Sequence, residues 1–164
     1  MKLLKSFINS SNAEVQNEDD MEMDIDMDVD VSNEISSEKE SDRKGVLIVD
    51  DSKFARMILK DILVNEGYLV IGEAENGFDA VDFVRENKPE YVFLDVEMPK
   101  QDGLSTIPGI LALDSEIQII MCTAIASKKI ISETKKSGAK DYVLKPYKKE
   151  NILDVMKVLT NTLQ

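Results

Sequence analysis

From Gly45 onward, short apolar runs alternate with longer stretches of helical period. The runs lie near 46–50, 69–73, 91–95, 117–122 and 141–145. Three of them, Val46-Leu47-Ile48-Val49, Tyr91-Val92-Phe93-Leu94 and Ile119-Ile120-Met121-Cys122, are apolar at every position. A strand that is apolar throughout is buried on both faces, as in a parallel sheet covered by helices. Between the runs, Ala55, Ile58, Leu59, Ile62 and Leu63 follow the i, i+3, i+4, i+7, i+8 stripe of a helix, and Gly67 stands where that helix would stop. Ile152, Val155, Met156, Leu159 and Leu163 repeat the period at the other end. The spacing predicts helices near 52–65, 77–87, 105–113, 127–137 and 149–162. Pro108 and Gly109 fall inside the third, which predicts a short or displaced helix starting near Thr106, with Pro108 in its first turn. Five βα units over residues 45–164 predict a doubly wound α/β domain, a five-stranded parallel sheet with helices on both faces.

Residues 1–44 have a different texture. They carry 13 acidic and 5 basic side chains, a net of −8, and one aromatic residue, Phe7. Such a segment cannot bury enough apolar surface to fold, so an acidic, disordered extension is expected. Met21 to Val31 alternates apolar and acidic residues, but a strand there would present one face of carboxylates only. Asp24, Asp26, Asp28 and Asp30 suggest a calcium loop. The sixth and twelfth positions are Val29 and Ile35, where Gly and Glu are required, so an EF-hand is rejected. Leu3, Leu4, Phe7 and Ile8 could share a helical face as a docking peptide, or belong to a frayed terminus.

Charge and composition narrow the function. The whole chain carries −12, of which residues 45–164 contribute −4, which opposes nucleic-acid binding. No apolar run approaches a membrane span, and Met1–Ile8 is too short for a secretory signal. One cysteine excludes an internal disulfide and fits a cytoplasmic protein. The absence of histidine removes a Ser-His-Asp triad, a His metal site and a phosphohistidine intermediate. A phosphoryl group would have to be accepted on a carboxylate, with any donor histidine on a partner.

Polar residues close four of the apolar runs: Asp50-Asp51, Asp95, Thr123 and Lys145. Ligands of open α/β sheets bind beyond the carboxyl ends of the strands, where these residues cluster. Two carboxylates about 4 Å apart repel by about 4 kcal/mol at an effective dielectric of 20. A Mg²⁺ ion with hard oxygen ligands offsets that repulsion. Lys145 supplies a fixed positive charge, Thr123 a hydroxyl, and Ala124 leaves its backbone open to a phosphoryl oxygen. Taken singly, each Asp has the simpler role of a helix cap or loop residue, Lys145 that of a solvated side chain, and Cys122 that of core packing. Their joint occurrence, in strand order, points to one site.

Residues 45–164 resemble a response-regulator receiver domain, most like the single-domain chemotaxis response regulators of the CheY-like kind. The resemblance is carried by Val46-Leu47-Ile48-Val49-Asp50-Asp51-Ser52, Leu94-Asp95-Val96-Glu97-Met98-Pro99 with Asp102-Gly103, Met121-Cys122-Thr123-Ala124, Ser137-Gly138-Ala139-Lys140-Asp141-Tyr142 and Leu144-Lys145-Pro146. It implies a flavodoxin-like strand order, 2-1-3-4-5, for which chemotaxis regulators are themselves a standard example. It implies Asp95 as phospho-acceptor, Mg²⁺ held by Asp51, Asp95 and the backbone carbonyl of Glu97, and Asp50 acting through a bound water. Lys145 would contact the phosphoryl group and precede a cis peptide to Pro146. Thr123 would swing toward the phosphoryl group with Tyr142 turning inward behind it. Side chains at Glu97 and Ile125 would tune the phosphoryl lifetime. The implied partners are a histidine kinase and a downstream protein, such as the flagellar motor switch, bound by a monomer.

Three other functions compete. A phosphorelay intermediate would share every site residue. A Mg²⁺-dependent aspartate-nucleophile hydrolase would usually carry a second Asp two positions after the first, where Glu97 stands, and no cap domain is expected to enclose its substrate. A scaffold that has lost phosphorylation is opposed by the intact five-residue set. With no output domain expected after Gln164, output is expected through protein contact. Lys128, Lys129, Lys135, Lys136 and Lys140 cluster on and after the fourth predicted helix. They form either a solvated face or a docking site for the acidic extension that salt would weaken.

Overall fold

A computed structural model describes residues 45–125 and 127–162. The expectations for residues 1–44, including docking of the extension, and the place of Leu163 on the last helix lie outside the described residues. The elements run β1 (Gly45–Val49), α1 (Lys53–Asn65), β2 (Leu69–Ala74), α2 (Gly77–Asn87), β3 (Tyr91–Asp95), α3 (Gly103–Leu113), β4 (Gln118–Thr123), α4 (Lys128–Ser137), β5 (Asp141–Leu144) and α5 (Lys149–Thr162). All four strand pairings are parallel, and the order is β2-β1-β3-β4-β5. This is the doubly wound, flavodoxin-like sheet.

Alternation of side chains along each strand explains the continuous apolar runs. Leu47, Val49, Val92, Leu94, Ile119 and Met121 point to one face and pack with Ala80 and Val84 of α2 and Ile107 and Ile110 of α3. Val46, Ile48, Tyr91, Phe93, Ile120 and Cys122 point to the other and pack with Leu59 and Leu63 of α1 and Ile152, Met156 and Leu159 of α5. Moving any central strand by one residue would exchange the two cores, so the register is tightly specified. β2 and β5 lie at the edges and are only partly covered.

α3 departs from expectation. It begins at Gly103 and runs eleven residues, with Pro108 in its interior and not in its first turn. The cause is Asp102, whose carboxylate accepts from the Ser105 N–H at 2.9 Å and from the Ser105 hydroxyl at 2.8 Å. That cap starts the helix three residues earlier than the proline suggested. Gly103 is required there, because a Cβ would come within 2.1 Å of the Asp95 carbonyl oxygen. α3 is thereby seated directly behind the end of β3.

Between β1 and its two neighbours the chain winds in opposite directions. The helices that follow β1 and β3 therefore diverge, and a crevice opens at the carboxyl ends of these strands. Asp50 and Asp95 stand at its floor.

Candidate functional site

Asp50 follows β1, Asp51 opens the turn into α1, and Asp95 ends β3. Asp50 and Asp95 are 1% and 4% exposed, whereas Asp51 faces solvent. One oxygen from each of the three carboxylates lies within 4.8 Å of the others. Lys145, following β5, reaches across the sheet ends to both buried acids, with Nζ 2.6 Å from Asp50 Oδ2 and 3.1 Å from Asp95 Oδ2. The Lys145–Pro146 peptide is cis. Thr123 ends β4 and is buried, and its Oγ1 accepts from the Ile125 N–H and donates to the Ile125 carbonyl, both at 3.1 Å.

The electrostatics follow from this crowding. Burial and the neighbouring Asp50 charge push the Asp95 carboxyl up to about 6, against the pull of Lys145 and the Glu97 N–H. Burial alone would lower the Lys145 ammonium, but its bonds to Asp50 and Asp95 outweigh that and hold it above its ordinary value. Three carboxylates against one ammonium leave a net charge of −2, in a set of hard oxygen donors. The residues fit a hard divalent cation. A cavity of about 260 Å³ opens beside the cluster, lined by Asp51, Glu75, Asn76, Pro99 and Lys100. Lys100 holds φ at 69°, in the left-handed region.

The structure thus brings together Asp50, Asp51, Asp95 and Lys145, with Thr123 at the adjoining strand end. Glu97 is exposed, and its N–H donates to Asp95 Oδ1 at 3.4 Å. Ala124 and Ile125 are also exposed, Ile125 by 54%. The Thr123 hydroxyl is engaged with its own loop, and Tyr142 is half-buried against the core shared with α2 and α3.

Two residues at the site were not anticipated. Arg56 on α1 is 6% exposed, and its guanidinium donates to the Asp50 carbonyl at 2.7 Å, to Glu73 at 3.0 Å and to Glu75 at 2.8 Å. A signal existed, because Arg56 lies three and seven residues before the buried Leu59 and Leu63 and so falls on the apolar face of its helix. Tyr147 donates to Asp50 Oδ2 at 3.4 Å; nothing local in the sequence announces a contact between residues so far apart.

A family model described as the response regulator receiver domain matches residues 46–157. The chain belongs to the response-regulator receiver family. Among its relatives, the chemotaxis protein CheY of Bacillus subtilis is 39% identical over 116 residues, covering 71% of this chain and 97% of that protein. The CheY protein of Thermotoga maritima is 42% identical over 113 residues, covering 69% and 94%. Among solved structures, a chain of the CheX–CheY–BeF3–Mg²⁺ complex from Borrelia burgdorferi matches with a TM-score of 0.67 and 33% identity, over 70% of this chain and 88% of that one. The receiver is CheY-like, as its sequence suggested. None of its helices, among the described residues, is long and apolar enough to cross a membrane.

Proposed function

We propose that this receiver is a phosphorylation switch in a two-component pathway, with Asp95 as acceptor and chemotaxis as its setting. The observation that carries the proposal is the Asp95 carboxylate itself, buried between a second acid and a lysine at the floor of the crevice. A carboxylate oxygen of Asp95 attacks the phosphorus of a phosphohistidine on a partner kinase. The P–N bond breaks and its electron pair stays with the imidazole, which takes up a proton. Asp51, Asp95 and the Glu97 carbonyl would hold Mg²⁺, with Asp50 acting through a water. When bound, the cation neutralises charge on the transferring phosphoryl oxygens. The balance of charges in the cluster supports this reading, since three carboxylates converge on one lysine.

Once Asp95 carries the phosphoryl group, the Lys145 ammonium pairs with it. The Thr123 hydroxyl leaves Ile125 to donate to it, together with the Ala124 amide. Tyr142 moves further inward behind Thr123 and reshapes the face of α4, β5 and α5. Shifting a two-state equilibrium from 1:99 to 99:1 needs about 5.5 kcal/mol. Hydrogen bonds to charged groups contribute roughly 1.5–3 kcal/mol each, so two or three of them suffice. Glu97 and Ile125 flank the acceptor and set how long the phosphoryl group survives, Ile125 by shielding it from water. Output is a protein contact made by a monomer in the cytoplasm, with neither nucleic acid nor membrane as partner. The function is that of a switch that acts chemically on itself alone.

The test is binding to the N-terminal peptide of a flagellar-switch protein, with Mg²⁺ alone and with beryllofluoride, using Asp95→Asn as the control. Tighter binding on activation of the unmutated protein alone is expected. Loading without any binding would overturn the motor output and favour a phosphorelay, which transfer to a histidine phosphotransfer protein would reveal.

A further inference from the structure

Asp50 carries more hydrogen bonds than any other acid of the site. Its Oδ1 accepts from the Ser52 N–H at 2.9 Å. Its Oδ2 accepts both the Lys145 ammonium at 2.6 Å and the Tyr147 hydroxyl at 3.4 Å. The Tyr147 ring packs into the core shared with α1 and α5.

The sharing of one oxygen by two donors matters because only one of them can move. Lys145 also bonds Asp95, and its long stem lets the ammonium follow a phosphoryl group placed there. Tyr147 is anchored by its ring. We infer that Tyr147 is a positioning residue, whose hydroxyl keeps the Asp50 carboxylate oriented when Lys145 turns to the phosphoryl group; this assignment rests on the function proposed above. Tyr147 thus makes the cation side of the site independent of the position of Lys145. A tyrosine that merely filled space would serve as well without its oxygen.

The experiment compares the full chain with Tyr147→Phe, which keeps the ring and removes the donor, and with Asp50→Ala. Mg²⁺ affinity is measured by calorimetry, and the Mg²⁺ concentration for half-maximal beryllofluoride loading is measured alongside it. In the absence of beryllofluoride Lys145 still holds Asp50, so Tyr147→Phe lowers Mg²⁺ affinity little. In the loaded form the Mg²⁺ requirement rises about tenfold, the lower end of what loss of a ligand-orienting partner costs. Thermal unfolding without Mg²⁺ reports any packing loss separately. An equal Mg²⁺ requirement for loading in both proteins, or the same loss in both forms, overturns the role of Tyr147. If the unmutated chain loads and Asp50→Ala does not, the site assignment stands whatever Tyr147→Phe shows. If the unmutated chain binds no Mg²⁺, the proposed function and the role of Tyr147 fall together.

Discussion

At the end of β1, Asp50 is held by groups from across the domain. Its N–H donates to the Ala74 carbonyl of β2 and its carbonyl accepts from Arg56 of α1. Its carboxylate accepts from Ser52, Lys145 and Tyr147. At the end of β4 the Thr123 hydroxyl is bonded within its own loop, to both backbone groups of Ile125. The difference matches what each end would do under the proposed function. Converging carboxylates repel, and charge that reorganises at the moment of reaction is costly, so the acidic side is built preorganised. A neutral hydroxyl gives up a local bond at a net cost of about 1 kcal/mol, which one charge-assisted bond to a phosphoryl group exceeds. Under the proposed function, one strand end would be a fixed cradle and the other a movable latch.

The largest effect is expected from Asp95→Asn, which removes the proposed acceptor on the fixed side. Incorporation of labelled phosphoryl groups should stop. The apo protein should also respond to pH differently. The Asp95 carboxyl titrates at about 6 in the fold against an ordinary 3.8. The folded state therefore binds this proton more tightly than the unfolded state. Asp95 costs nothing below pH 4, and stability falls as pH rises from 4 through 6, then levels off. A shift of this size corresponds to about 3 kcal/mol at most. Urea unfolding without Mg²⁺ should show Asp95→Asn gaining on the unmutated protein between pH 4 and pH 7. A gap that does not change with pH would mean that Asp95 is not destabilised by its setting.

Next comes Arg56→Met, which leaves the Asp50 carbonyl and Glu75 without their donor, while Glu73 keeps Lys60 at 2.9 Å. Breaking a buried charge pair costs about 3–5 kcal/mol. Glu75 is well exposed and Glu73 partly so, which places the loss at about 3 kcal/mol or below. The readout is chemical denaturation with and without Mg²⁺. An unchanged midpoint would show that the cradle does not depend on Arg56.

Thr123→Ala tests the latch. Apo stability should change by about 1 kcal/mol or less. The loaded state should lose one charge-assisted bond, roughly 1.5–3 kcal/mol, and with it about tenfold or more in activated target binding. If loaded and apo forms suffer alike, Thr123 is part of the fixed structure. Ile125→Ala is expected to have the smallest effect, faster loss of the phosphoryl group by less than about tenfold, under 1.4 kcal/mol of barrier. Stopped-time assays of the phosphoprotein would measure it, and an unchanged rate would remove Ile125 as a shield.

Much of this architecture was legible in the chain. The runs at β1, β3 and β4 announce buried strands because both faces of those strands are covered, so no polar position interrupts them. Helix stripes on α1 and α5 place Leu59, Leu63, Ile152 and Met156 inward, as found. α3 was misread because a proline is a conspicuous local signal, while the competing cap at Asp102 becomes decisive only when its carboxylate meets the Ser105 N–H. Asp50, Asp51, Asp95, Thr123 and Lys145 were legible because each closes a strand, and parallel strands bring their carboxyl ends to one side. The sequence could therefore name the chemical groups of the site, since residue type and strand position depend on local pattern. Only the tertiary structure decided that Asp50 and Asp95 are buried while Asp51 is exposed, that Lys145 spans both buried acids, and that Arg56 and Tyr147 support them. Those outcomes depend on distances between residues far apart in the chain, and such distances are set when the two cores pack on opposite faces of one sheet.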